Sequence, residues 1–487
     1  MRLSEHRPAP PPTKHLPHVV ILGAGPAGVG AAYQLRRHNR ATVTVLEQNP
    51  VVGGNAGSFE VRGQRLDYGS HRLHPACDLE ILGDIRRLLG DDLLDRPRHG
   101  RILLRGKWIH FPLTPIDLLL RLDPGFALGT ARDAVRKLLR QSVDTEDTFA
   151  DVLLANLGPT ICHDFYFPYA RKIWGCDPED LSAIQARRRV SAGSFGKLVR
   201  KVLNSVPGFK PLGSGRFYYP RNGYGQISEA YAHAACDLGA TLYLGHPVTT
   251  ITQPGASGKT WVIEAGRDKS VRTIDADYLW STIPIPVLAR VMQPPAPPAV
   301  LEAAAALRFR AMVLVYLELP VDRFSEFDAH YFPGAETRMT RMSEPKNYAA
   351  REEPHGKTTL CAELPCAVTD ECWTLDDVSL GNLIAVDLER AGIPLPAPPT
   401  WVHVRRLQQA YPIYVTGYER AFETLDQWAS SLPNLLSYGR QGLFAHDNTH
   451  HALAMAYAAA DCLAHGKFDS AKWRFHRQKF ATHVVED

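Results

Sequence analysis

The most specific chemistry lies near the start of the chain. Gly23-Ala24-Gly25-Pro26-Ala27-Gly28 spaces its glycines as GxGxxG, directly after the apolar run Val19-Val20-Ile21-Leu22 and directly before the small-residue stretch AGVGAAYQLRRH. In that setting the first glycine permits a tight turn, the second lets backbone approach a pyrophosphate, and the third lets helix pack on strand. The helix start then offers unpaired N–H groups and the positive end of its dipole to phosphate. A second strand, ATVTVLE, ends at Glu47, nineteen residues after Gly28, where a carboxylate can accept both hydroxyls of a ribose. No Arg or Lys adjoins Glu47 to hold a 2′-phosphate, which disfavours NADP at this site. The expectation is a dinucleotide bound across a βαβ unit.

Other reactive residue types are weaker signals. Arg187-Arg188-Arg189 offers three guanidiniums, but such runs are usually a solvated helix face. His446 and His450 could share a helical face beside His451, yet no HExxH glutamate accompanies them, and no metal is expected. Cys361, Cys366 and Cys372 lack zinc spacing. Nothing reads as GxSxG, Walker A or a kinase signature, so hydrolase and phosphotransferase classes fall away.

The elements that must position these residues read as an α/β protein. The chain has 487 residues, 45% hydrophobic and 22% charged, which excludes disordered, collagen-like and coiled-coil classes and leaves room for several domain-sized units. Lys+Arg 55 against Asp+Glu 51 is too balanced to make nucleic acid or an anionic membrane the main partner. Eight scattered cysteines with no CxxC pair point to reduced thiols. No apolar run is long enough to span a bilayer, and the Pro-rich opening MRLSEHRPAPPPTKHLPH has no signal-peptide core. A cytoplasmic protein is expected.

Composition shifts divide the chain into a disordered lead-in at 1–16 and a dinucleotide-binding domain in three parts, 17–105, 211–293 and 406–470. Between them lie a helical insert at 106–210 and a mixed α+β substrate domain at 294–405, followed by a C-terminal tail at 471–487. The apolar stretch PIDLLLRL at 115–122 suits a buried helix, a greasy substrate channel or a membrane face.

Further motifs carry a family resemblance. After Glu47 come Gly53-Gly54 and then Asp67-Tyr68-Gly69, and near the C-terminus GRQGLFAHDN precedes a small-residue helix. This order resembles the FAD-dependent superfamily of amine oxidases, protoporphyrinogen oxidases and UDP-galactopyranose mutases. It implies a Rossmann-type FAD-binding domain of the GR2-like kind. Gly439, Arg440 and Gly442 would then hold the flavin ribityl and pyrophosphate, and Gly223 and Gly225 of FYYPRNGYGQI, with Val248, would lie along the cofactor.

The motifs are most similar to the mutase branch. There a histidine after the Asp-x-Gly element lies over the flavin ring, here His71 in DYGSHRLH. A Lys-x-Trp motif, here in KIWGCDPEDLSAIQARRRV, leads to a matching arginine at Arg189. A second arginine follows a Tyr-Phe-Pro strand, at Arg341, with Asn347 and Tyr348 behind. The resemblance implies that Arg189 and Arg341 clamp a nucleotide diphosphate, a task suited to planar, permanently charged guanidiniums. One departure stands out: the mutases place a nucleotide-holding tyrosine where this chain has His446. The resemblance thus implies an enzyme, foremost a pyranose–furanose isomerase of nucleotide sugars using reduced FAD, with NAD(P)H compatible as reductant. An oxidase or desaturase abstracting hydride from a small molecule is the alternative.

Overall fold

The computed structural model describes residues 16–111, 121, 123–139, 147–189, 215–255, 260–267 and 270–485. Residues 190–210 of the expected helical insert and nearly all of PIDLLLRL fall outside them.

The first strand, His18–Leu22, is apolar throughout because both of its faces are covered. Val19 and Ile21 enter one core with the helices Pro26–Arg37, Gln226–Asp237 and Thr449–Cys462, whereas Val20 and Leu22 enter a second core with Trp261, Ile263 and Leu288. This strand is central in a five-stranded parallel sheet, ordered Leu435–Ser437, Tyr278–Ser281, His18–Leu22, Thr42–Leu46, Thr241–Tyr243. The glycine-turn helix packs closely on the C-terminal helix, where a Cβ at Gly30 would lie 2.8 Å from Leu453. Small residues in AGVGAAY and ALAMAYAAA permit that approach. A four-stranded sheet formed by Val248–Thr252, Trp261–Ala265, Arg272–Ala276 and Met292–Gln293 covers the other face.

A seven-stranded sheet forms the second half of the molecule. Its core strand, Arg308–Leu319, lies between Trp401–Ile413 and Thr358–Cys366, antiparallel to both. Side chains alternate: Val313, Val315 and Leu317 pack under the helix Asp377–Arg390, while Met312, Leu314 and Tyr316 face Phe59 and Leu66 of the cofactor domain. The expected boundaries need correction here. Gly100–Leu104 and Lys107–Phe111 form one hairpin at the edge of this sheet, so a division at 105/106 cuts through its turn. A division at 405/406 likewise falls inside the strand Trp401–Ile413. Among the described residues no helix is long and apolar enough to cross a membrane.

Candidate active site

One cleft of about 830 Å³ runs between the two sheets, from the glycine turn to the strand bearing Arg341. At its first end the glycine spacing has a steric reading. A Cβ at Gly28 would stand 1.9 Å from the carbonyl oxygen of Gly23, so helix and turn could not meet with any side chain there. Gly23 has φ +97°, a left-handed conformation that glycine adopts freely. Gly25 caps the helix with no side-chain partner, lines the cleft, and has open space where its Cβ would be. Pro26 and Ala27 line the cleft beside it. The helix start therefore presents backbone N–H groups to a cavity and nothing else, which is the environment a pyrophosphate needs.

Glu47 is buried in the same wall. Its Oε2 accepts the Ala24 N–H at 2.8 Å, and its Oε1 accepts both the N–H and the side-chain amide of Asn49, at 2.9 and 2.8 Å. Roughly one of a carboxylate's four acceptor directions remains. The expectation that it takes both ribose hydroxyls is reduced to one. Gly53 and Gly54, with φ +106° and +53°, close the wall, and Gly53 N–H donates to Ala24 at 2.8 Å. Val248 also lines the cleft. Arg440 enters it too, donating to the carbonyls of Ala410 (2.9 Å) and Asp447 (3.1 Å) and lying over the Tyr411 ring.

Several expected site residues stand one layer behind. The Asp67 carboxylate accepts the Ser58 hydroxyl at 2.6 Å, the Tyr224 N–H at 2.9 Å and the Tyr219 hydroxyl. It thereby ties the Asp-x-Gly element to the FYYPRNGYGQI turn. Gly223 and Gly225 allow that contact, since a Cβ at Gly225 would lie 2.3 Å from Ser58 N. Gly439 and Gly442 serve similar close approaches, Gly439 against Ala27, while Gly69 supplies a left-handed φ of +94°. The product of this layer is Tyr224, which reaches the cleft and stacks on His71 at 5.2 Å. His71 Nε2 lies 2.9 Å from the Tyr68 carbonyl. A carbonyl can only accept, which puts the ring proton on Nε2 and leaves Nδ1 as acceptor. Burial holds this imidazole below its ordinary pKa, so it is neutral near pH 7.

At the far end Arg341 and Glu363 stand directly opposite on paired strands. They form a two-pronged ion pair, Nε to Oε1 at 3.0 Å and Nη2 to Oε2 at 2.8 Å, and Glu363 also accepts the Ser70 N–H at 2.7 Å. Arg189 lies at the end of the helix Ala183–Arg189, and its side chain is outside the described residues. Asn347 is turned away from the cleft: its amide donates to the carbonyls of Ser325 and Phe327 and to Glu344. Tyr348 lies just behind the wall, its hydroxyl on Ser70 and Arg72. The Lys-x-Trp motif divides its work. Lys172 staples the insert to the sheet through Phe332, Thr337 and Met339, while Trp174 meets His446 edge-on at 4.8 Å. His446 is buried and lines the cleft.

The histidines divide differently from the sequence grouping. Asp447, His451 and His483 converge, with both Nδ1 atoms 3.5–3.6 Å from Asp447 Oδ1. The two rings lie 4.2 Å apart and within 17° of parallel, so no ion can lie in both ring planes. Sequence reasoning missed Arg72, Arg98, Arg405 and Glu363, all of which line the cleft. A lone carboxylate inside the apolar strand TTLCAELPC was the available sign of Glu363.

The model of flavin containing amine oxidoreductases matches residues 26–463. The chain belongs to that family. It is a flavoenzyme of the amine oxidase superfamily, and its cofactor is FAD. The protein named flavin-containing monoamine oxidase AofH of Mycobacterium tuberculosis is 28% identical over 319 residues, 61% of this chain and 63% of its own. The match thus spans less than two thirds of that curated relative. A reduced UDP-galactopyranose mutase has the same fold, with TM-score 0.76, 21% identity, and 91% of this chain and 93% of that chain covered. So does a putrescine oxidase bound to putrescine, with TM-score 0.63, 17% identity, and coverage of 92% and 98%. In this flavin containing amine oxidoreductase the open Gly25 seat, the uncapped helix start and the remaining acceptor of Glu47 fit the dinucleotide part of FAD.

Proposed function

We propose that this flavoenzyme rearranges a nucleotide-diphosphate sugar between pyranose and furanose forms. The observation that carries the reading is charge: among the described residues seven arginines and three carboxylates line the cleft, with Glu47 spent at the glycine end and Glu363 spent on Arg341. Such a wall repels an ammonium substrate and suits neither a carotenoid nor another greasy molecule. It attracts a diphosphate. When bound, FAD supplies the electron pair that reacts at the sugar. The chain's residues bind, orient and screen. Neutral His71, held by Tyr68 and Tyr224, offers an acceptor at Nδ1 without adding charge. Guanidinium charge at the far end of the cleft stabilises a leaving diphosphate as its charge grows, the task the resemblance gives to Arg341 and Arg189. His446 and Tyr411 line one side of the cleft with rings, and Trp174 backs His446.

The test is anaerobic. Protein carrying FAD is reduced with dithionite and incubated with a panel of nucleotide sugars, and products are separated by chromatography. An isomeric nucleotide sugar that appears only with reduced flavin is the expected result. Absence of any isomer, with oxygen-dependent turnover of a reducing substrate, would establish net oxidation instead. That second reading draws on His446, an imidazole where the mutase pattern has a nucleotide-holding tyrosine.

A further inference from the structure

The two arginines at the far end of the cleft are not equivalent. Arg341 already has its counter-charge: Glu363 takes Nε and Nη2 along one edge of the guanidinium, and the pair is deeply buried. Arg72 has none. Its Nη1 donates to the Tyr331 hydroxyl at 2.8 Å and its Nη2 to the Tyr348 hydroxyl at 2.9 Å. Both partners are neutral phenols, and among the described residues no carboxylate lies within ion-pair distance of Arg72. The ring faces of Phe217 and Tyr348 hold the guanidinium at 5.2 and 4.9 Å. The acid that bears on it from further off, Asp328, is itself engaged with the His99 N–H at 2.9 Å. Nε has no partner at all. Of an arginine's five N–H donors about three are unspent, and since Nε is shut away from solvent, the two that remain on Nη1 and Nη2 are the ones left for a ligand. Arg72 lines the cleft, whereas Tyr331 and Tyr348 do not.

A fixed cation with unspent donors facing a cavity is costly unless an anion arrives. The fixing matters as much as the charge, because a guanidinium already held by two phenols and two ring faces loses little freedom on binding. We propose that Arg72 is the residue that seats the substrate's anionic group, and that Arg341 acts as a positioning residue that holds Glu363 and, through it, the Ser70–His71–Arg72 backbone. Under the nucleotide-sugar reading, on which the choice of ligand rests, that group is the diphosphate.

Calorimetric titration of the FAD-loaded, reduced protein tests this with UDP and inorganic pyrophosphate as probes. Arg72→Gln is expected to weaken both by about 30-fold or more, and Arg72→Lys to restore part of the loss. Phenylglyoxal labelling of the wild type, mapped by mass spectrometry, gives a reading that needs no variant: pyrophosphate should protect Arg72. Unchanged affinity in Arg72→Gln, or labelling of Arg72 that pyrophosphate leaves untouched, overturns the assignment while leaving the nucleotide reading intact. If neither probe binds the wild type but glucuronate does, and Arg72→Gln abolishes that binding, the nucleotide reading fails and the Arg72 seat stands. If none of the three anions binds, both fall.

Discussion

The two ends of the cleft are both buried and polar, and they are built from opposite materials. At the glycine end the surfaces are backbone: a helix start, three positive-φ glycines and a carboxylate held by main-chain N–H groups. At the far end the surfaces are charged side chains delivered by separate strands and loops, balanced against one another by Glu363 and two phenols. Backbone geometry tolerates no added atom and needs no partner charge. A side-chain cluster tolerates added volume better, but every charge removed leaves another stranded. Sterics should therefore govern mutations at the first end, and charge balance those at the second.

The largest effect is expected at Gly28. In Gly28→Ala the new Cβ meets the Gly23 carbonyl at 1.9 Å, and strand and helix must part. The variant should lose about 5 kcal/mol or more and purify without flavin. Yellow protein with a wild-type urea midpoint would show that the turn yields and that backbone does not limit this end.

Next comes Glu363. Glu363→Ala leaves Arg341 buried without its partner, and urea denaturation should show a loss of about 3–5 kcal/mol. Removing both charges in Arg341→Met/Glu363→Met should recover most of that loss, since a buried pair replaced by apolar groups is often neutral. A double variant as unstable as the single one would mean that packing, not charge balance, dominates there.

This contrast also governs what could be read from the chain alone. The glycine end lies within the stretch from Val19 to Gly54, and each part leaves a local mark: an apolar run, spaced glycines, a terminal acid. Even so, the Asn49 contacts to Glu47 are invisible in the pattern. At the far end Arg72, Arg341 and Glu363 meet only through strand register and through a loop carried over from the first domain. Arg341 is marked in the sequence by resemblance alone, and its ion pair with Glu363 has no local sign. Arg72, adjacent to His71 in DYGSHRLH, was passed over because nothing local marks a cation whose partners are Tyr331 and Tyr348. The cut at 105/106 failed for a related reason, since Arg105-Gly106 is a hairpin turn and not a linker.

A smaller effect tests the far sheet by pH. His330 is buried between Trp108, Phe324 and Phe327, both ring nitrogens lack partners, and burial with nearby Arg101 pushes its pKa down to about 3. The unfolded chain binds a proton at its ordinary value of 6.5 and the folded chain does not, so this residue's contribution falls as pH drops below 6.5. His330→Phe removes that slope. Its stability advantage over the wild type should widen by about 1–2 kcal/mol between pH 7 and pH 5, read from urea curves at each pH. His450 and His451, with pKa values lowered to about 3 and 4 by burial, leave a residual acid sensitivity at the cofactor end in both proteins. A constant gap would show that His330 finds a proton partner in solution.

The smallest change in stability is expected three residues from the largest. Gly25 has φ −70°, which alanine adopts without strain, and beyond its immediate chain neighbours nothing lies within 4 Å of where its Cβ would be. Gly25→Ala should therefore leave the apoprotein's stability within about 0.5 kcal/mol, because the loss of a favourable cap and the stiffer unfolded chain nearly cancel. The same Cβ, however, points into space that the cleft owns. If a pyrophosphate rests on the helix start, FAD affinity must fall although the fold is untouched. Flavin-fluorescence titration of the apoprotein beside its melting curve separates the two quantities. Gly28→Ala and Gly25→Ala together then divide one motif into its two physical jobs, packing and ligand approach. Unchanged FAD affinity in Gly25→Ala would mean that the phosphates lie elsewhere along the cleft, and the glycine end would be a packing device alone.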